Sequence, residues 1–281
     1  MTKTILITGT SSGYGKAMAE LFLERGWNVL ATMRRPDPAV FPASERLRVL
    51  PLDVTDADSI GRAIADGVAA FGAIDVLVNN AGIGLASAVE ATPDGVMREI
   101  FETNTFGVFA TCRAIIPQMR RQGQGVIINV TSSSGIAPMP LVAVYAASKC
   151  AVEGFTESLS HELDQFGIKA RLVEPGYAPT TRFSAHTGSR MQGLIPEEYG
   201  PFAQAYFAKL ADYPTAFCTE AEVAEAVFAA ATEEGSTLRY PAGPDTRLVA
   251  ALRWTTSEDH YIASMRQMFM PQRQIEPAST M

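Results

Sequence analysis

"TILITGTSSGYGKAMAELFLERG", Thr4 to Gly26, decides the fold. It opens on a short continuous apolar run of the kind carried by a strand buried on both faces. It closes on the pattern of an amphipathic helix. Between them stand Gly9, Gly13 and Gly15 in the spacing G-x-x-x-G-x-G. This is not the G-x-G-x-x-G dinucleotide fingerprint, but the physics is shared. Glycines let the backbone turn tightly and approach a pyrophosphate, and free N–H groups at a helix start favour negative charge. A glycine-rich turn is weak evidence by itself; its position between strand and helix gives it weight.

The alternation continues outward. "NVLAT", "LRVLPLD", "DVLVNN", "GVIINVTSS" and "KARLVEPG" read as further buried strands. Helical patterns separate them. "TDADSIGRAIADGVAAFG" starts on a capping-box signature, Thr55 with Asp58, and puts Ile60, Ile64, Val68 and Phe71 on one stripe. These elements predict an α/β Rossmann-type fold, a doubly wound parallel sheet with helices on both faces, as a single domain over 1–270. Residues 177–217 show no clear period and read as a substrate-covering segment. A capped helix, "TEAEVAEAVFAAATEEG", the strand "TLRYPAG" and more helix follow, and 271–281 reads as a frayed tail.

Composition narrows the function. The net charge of -7, with no long Lys/Arg run, argues against nucleic acid and anionic membranes as partners. No apolar run is long enough to cross a bilayer and no signal peptide opens the chain, so a cytoplasmic location is expected. Cys112, Cys150 and Cys218 lack metal-ligand spacing and read as small buried hydrophobes in a reducing compartment. His161, His186 and His260 are scattered, so no metal site is expected. The G-x-S-x-G elbow of serine hydrolases is absent.

The second strand ends in Met33, Arg34 and Arg35, where an NAD-specific site would carry a carboxylate for the adenosine ribose. A guanidinium there suits a 2′-phosphate, and the hydroxyls of Ser11 and Ser12 could reach the same group. NADP(H) is the expected cofactor.

Three strand ends then have to be taken together: "VLVNNAGIG" from Val76, "INVTSSSG" from Ile128, and the helix opening "VYAASKCAVEGF" from Val144. Helix phase puts Val152, Leu159 and Leu163 on the side of Tyr145 and Lys149, so the lysine faces inward and needs polar partners. Carbonyl reduction by a nicotinamide requires a proton donor beside the carbonyl oxygen. For Tyr145 to serve as base near neutrality, its pKa must fall by roughly three units, about 4 kcal/mol. The Lys149 ammonium and an oxidised nicotinamide would favour phenolate. Ser132, thirteen residues before Tyr145, could hold the substrate oxygen; Ser133 and Ser134 are the alternatives.

With these motifs in order, the sequence resembles the short-chain dehydrogenase/reductase family. "TGTSSGYG", "NNAG", "INVTSS", "YAASK" and "EPGYAPT" carry the resemblance over residues 3 to 180. It implies Tyr145 as acid/base, Lys149 as the group that lowers its pKa and binds the nicotinamide ribose, and Ser132 as the carbonyl anchor. Asn104 would support a water-linked proton relay to Lys149. Gly9, Thr10, Ser11, Ser12, Gly13, Tyr14, Gly15 and Arg34 would hold the phosphates, and Asp53 and Val54 the adenine. Asn80, Ala81 and Gly82 would line the cofactor, and Pro175, Gly176, Ala178 and Thr180 would cover its carboxamide. Tyr14 departs from the family's usual isoleucine, and Pro179 stiffens the segment before Thr180.

The expected activity is hydride transfer between NADP(H) and a carbonyl or secondary alcohol, the substrate a fairly large apolar or aromatic ketone. Tyr177, Phe183, Met191, Leu194, Ile195, Tyr199, Phe202, Tyr206, Phe207 and Phe217 are its candidate lining. The rival is a non-catalytic NADP(H)-sensing protein on the same fold; retention of Asn104, Ser132, Tyr145 and Lys149 counts against it. The resemblance also implies a homodimer or homotetramer, built on the helices after Asn104 and around Tyr145.

Overall fold

A computed structural model describes residues 2–179, 181–213 and 215–271. Among these, seven strands form one parallel sheet: β1 (Thr4–Thr8), β2 (Asn28–Met33), β3 (Leu47–Pro51), β4 (Val76–Asn79), β5 (Gly125–Val130), β6 (Ile168–Pro175) and β7 (Arg239–Ala242). Their order is β3-β2-β1-β4-β5-β6-β7. The order reverses between β1 and β4, which pair in parallel register from Ile5↔Val76 to Ile7↔Val78. That reversal is the topological switch point, where open α/β sheets bind ligands.

Helix α1 (Gly13–Glu24) follows β1 directly, and α2 (Ala57–Phe71) leads into β4. The α2 cap differs from the sequence expectation. Asp56, in extended conformation, accepts from the Asp58 and Ser59 N–H groups, while Thr55 turns back to the Asp53 carboxylate. Asp56 wins because its short carboxylate sits one residue nearer the free N–H groups and matches their charge.

Helices α3 (Asp94–Phe101) and α4 (Gly107–Gln122) join through a π-helical turn, Glu102–Phe106. The short α5 (Ser133–Ile136) follows β5, and α6 (Ala143–Asp164) leads to β6. Two apolar layers sandwich the sheet. One packs Met18 and Phe22 of α1 against Ile5, Ile7 and Val29; the other packs Ile115 and Met119 of α4 and Leu159 of α6 against Leu6 and Ile127. Alternate residues of one strand thus feed both layers, which is why the strands read as unbroken apolar runs.

The region past β6 is more ordered than its sequence pattern implies. It holds α7 (Arg182–Arg190) and α8 (Gly200–Ala211). Helix α9 (Glu220–Thr232) carries the expected capping box on Thr219 and Glu222, and α10 (Pro244–Thr255) and α11 (Glu258–Phe269) follow β7. The tail expectation for 271–281 falls, beyond Pro271, outside the described residues. No helix among those described is long and apolar enough to cross a membrane.

Candidate active site

The first turn after β1 is built to approach a ligand closely. Gly9 has φ +73° and Gly13 φ +56°, values that side chains rarely accept. A Cβ on Gly15 would lie 2.2 Å from the Gly9 carbonyl oxygen, so only glycine fits there. Asn80 braces the turn by donating to the carbonyls of Thr8 and Gly9 at 2.9 and 3.1 Å. At the start of α1, Ser12 makes no side-chain cap and no acidic residue stands in the first turn. The free N–H groups of that turn are therefore directed at an anion.

One cavity of about 940 Å³ runs from this turn to the end of β6. Its walls include Gly9, Ser11, Ser12, Gly13, Tyr14, Gly15, Arg34, Asp53, Val54, Asn80, Ala81 and Gly82 at one end. Ser132, Tyr145, Lys149, Pro175, Gly176 and Ala178 line the other. The sequence assigned residues 170 positions apart to one site, and the sheet brings them there. Thr10 is not in the wall; it is buried, with its hydroxyl given to the Thr32 carbonyl at 3.2 Å. Thr180 lies outside the described residues.

Asn104 sits behind the wall, fully buried. Its amide accepts from the Ile83 N–H and donates to the Ile83 carbonyl, both at 2.8 Å. The π-helical turn aims it there. Gly82 makes room: a Cβ on it would meet Asn104 Oδ1 at 3.2 Å and Lys149 Nζ at 3.7 Å.

Helix phase predicted the burial of Tyr145 and Lys149, and both are buried. The lysine's partner is the Val130 carbonyl, 3.1 Å from Nζ, and the ammonium stands 5.9 Å from the Tyr145 ring centre. Burial pushes the Tyr145 phenol up to about 12, with its hydrogen bond to Ser132 opposing. Burial also pushes Lys149 down to about 8, against the attraction of Glu153. The chain's own groups therefore keep Tyr145 protonated at neutral pH; the expected pull toward phenolate invoked an oxidised nicotinamide as well as Lys149. Nζ faces a backbone carbonyl, so its charge does not offset the loss of hydration.

Ser132 caps α5, accepting the Ser134 N–H at 3.1 Å. An acceptor in that bond, its hydroxyl keeps its proton to donate elsewhere. Ser133 and Ser134 are more deeply buried, although both reach the wall.

A family model described as short chain dehydrogenase matches residues 3–191. The chain belongs to the short-chain dehydrogenase family. Such a dehydrogenase is an oxidoreductase that binds a nicotinamide cofactor and acts on a small molecule. This short-chain dehydrogenase is 36% identical over 264 residues to the uncharacterized oxidoreductase YusZ of Bacillus subtilis, covering 89% of this chain and 92% of that one. It is 41% identical over 172 residues to the 3-ketodihydrosphingosine reductase of Bacteroides thetaiotaomicron, 61% and 62% of the two chains. Its fold matches the structure of ElxO with NADP bound at a TM-score of 0.72 and 28% identity, over 86% of this chain and 98% of that one.

Several expectations shift. Cys150 is exposed, its thiol donating to the Gly135 carbonyl at 3.3 Å, so it is not a core residue as Cys112 and Cys218 are. Of the ten candidate lining residues, Tyr177, Phe183, Met191, Tyr206, Phe207 and Phe217 reach the cavity; Leu194, Ile195, Tyr199 and Phe202 do not. Sequence reasoning missed Met139, Leu141, Leu210, Tyr213 and Val249, which complete the apolar wall. Tyr14 lines the cavity and also ties two further segments together. Its hydroxyl lies 3.3 Å from the Gly176 carbonyl and 3.2 Å from Cys218 Sγ.

Proposed function

We propose that this chain is an NADP(H)-dependent oxidoreductase that moves a hydride between the nicotinamide and the carbon of a carbonyl or secondary alcohol. The observation that carries this reading is the convergence of Ser132, Tyr145 and Lys149 on the same cavity as the glycine turn. A non-catalytic sensor would have no use for that convergence.

The residues fit the cofactor. The glycine turn and the uncapped start of α1 suit the pyrophosphate. Arg34 stands in the wall at the end of β2, beside Ser11 and Ser12, and suits a 2′-phosphate. The NADP named with ElxO supports the same choice. Asp53 and Val54 would flank the adenine, and Asn80, Ala81, Gly82, Pro175, Gly176, Ala178 and Thr180 the rest. When bound, the nicotinamide supplies or accepts the hydride.

Tyr145 gives its Oη proton to the carbonyl oxygen in the reductive direction, for which a phenol pushed up to about 12 is already in the donor state. Ser132, whose hydroxyl hydrogen-bonds to Tyr145, would turn its proton to that same oxygen when substrate binds. Lys149, with Asn104 behind it, holds the ribose side and supports resupply of the proton through water. The oxidative direction requires Tyr145 to ionise, which burial opposes.

The apolar wall of Met139, Leu141, Tyr206, Phe207, Leu210 and Phe217 supports a fairly large apolar or aromatic ketone. The named substrate of the Bacteroides relative is in keeping with that class. On this reading residues 177–217 cover the substrate. Phe109 of α4 stacks on Phe155 of α6 at 4.1 Å with Phe106 exposed beside them, which supports a homodimer or homotetramer through these helices. Three free cysteines support a reducing, cytoplasmic setting.

The test is NADPH consumption with a panel of ketones graded in size. Turnover that rises with apolar size and requires Tyr145 supports the reading; no oxidation of NADPH with any ketone overturns it.

A further inference from the structure

One turn beyond Lys149, α6 buries a second charged side chain that the proposed chemistry does not use. Glu153 is 8% exposed and packs beneath Gly135, where an added Cβ would lie 3.4 Å from its Oε1. The Thr131 hydroxyl donates to that oxygen at 2.5 Å. From the end of β6 comes Glu174, fully buried, with no hydrogen-bond partner on either carboxylate oxygen among the described residues.

A single guanidinium serves this cluster. Arg239 of β7 places Nε 3.4 Å from Glu153 and 3.5 Å from Glu174, and Nη2 2.8 Å from the exposed Glu157. The indole of Trp254 lies 5.3 Å away, against the guanidinium. Further titratable neighbours are Lys149, Cys150 and His161 on α6 and Arg253 on α10.

The charges do not balance if every carboxyl ionises. Three carboxylates would face one guanidinium and one ammonium, with two of the three buried. Like charges held together out of water retain a proton between them. Burial and the Glu153 charge push Glu174 up to about 8. Burial raises Glu153 as well, while Thr131 and Arg239 favour its charged form. Lys149, pushed down by burial, is held up by Glu153.

We propose that Glu153 and Glu174 share a single proton at neutral pH, and that Glu153 is a positioning residue whose charge keeps Lys149 an ammonium. The second half rests on the role given to Lys149 above; the shared proton does not.

Infrared spectroscopy tests the pair without any turnover. At pH 7 the wild-type chain is expected to show the carbonyl stretch of one protonated buried carboxyl. Glu174→Gln should abolish it, and Glu153→Gln should lower the pH at which it disappears, because the remaining carboxyl then faces no buried like charge. No such band in the wild type, or a band whose pH of loss E153Q leaves unmoved, overturns the sharing.

The link to Lys149 is read from the alkaline limb of kcat/KM for ketone reduction. E153Q should move that limb down by about one pH unit, roughly a tenfold loss at a pH above it, and Glu153→Asp should restore it. Uniform loss at every pH with the limb unmoved would reduce Glu153 to a packing role. If no ketone is reduced at all, the proposed function fails while the infrared result still decides the pair.

Discussion

Arg190 at the end of α7 reaches across the cavity mouth to Glu99 of α3, its two terminal nitrogens 2.9 and 2.7 Å from the two carboxylate oxygens. The guanidinium holds the Glu99 carboxyl below its ordinary range. The pair ties a segment past β6 to the opposite lip of the cleft. Both side chains are partly exposed, so the bond is worth about 1 kcal/mol or less. Arg190→Ala should therefore leave the fold intact while loosening α7. Hydrogen exchange over 182–190 is expected to quicken, and KM for the ketone to rise a few-fold. Unchanged exchange there would mean the pair does not restrain the helix.

Tyr145→Phe keeps the ring, which lies 5.9 Å from that of Phe183, and removes only the hydroxyl. Turnover should fall by roughly 10²–10⁴-fold, the usual worth of a general acid. NADPH binding, followed by fluorescence, should persist. Retained turnover would remove the phenol from the mechanism.

Arg34→Asp replaces a bidentate cation with a repelling charge. NADPH affinity should drop by about 1.5–3 kcal/mol, roughly ten- to 150-fold, while NADH is spared or improved. Equal loss of both cofactors on titration would take the 2′-phosphate away from Arg34.

Glu174 gives a stability signature with a definite sign. Its carboxyl is raised from 4.5 to about 8 by burial, so between those values the native chain holds a proton that the unfolded chain has released. Its contribution is complete below pH 4.5 and is lost as pH rises through 8. Wild-type stability should decline across that window by on the order of a few kcal/mol, less what other groups add. Glu174→Gln should flatten the decline. Urea midpoints at pH 5, 6.5 and 8 would reveal a parallel slope in the variant if Glu174 is not the source.

Much of this architecture could be seen in the residues alone, because strands that feed two apolar layers leave unbroken runs, and a glycine turn between strand and helix admits few folds. The placement of Lys149 was visible from helix phase. Glu153 was visible by the same reasoning, being four residues further on the same face, whereas Glu174 lies on a strand that also carries Lys169 and Arg171; neither belonged to a motif, so neither stood out. Helix α7 escaped notice because Gly188, His186 and the scattered polar residues give it no apolar stripe. The bond between Lys149 and Val130 depends on how β5 ends, a detail that periodicity does not carry.

Tyr14 joins three separate parts of the chain. The Cys218 thiol, the Tyr14 phenol and the Gly176 carbonyl form a short chain of contacts from the segment before α9, through the first turn of α1, to the end of β6. The glycine-turn end of the cavity is thereby strutted against the end of β6. The two regions are braced as one frame, so that loss of the Tyr14 hydroxyl would loosen both ends of the cavity together.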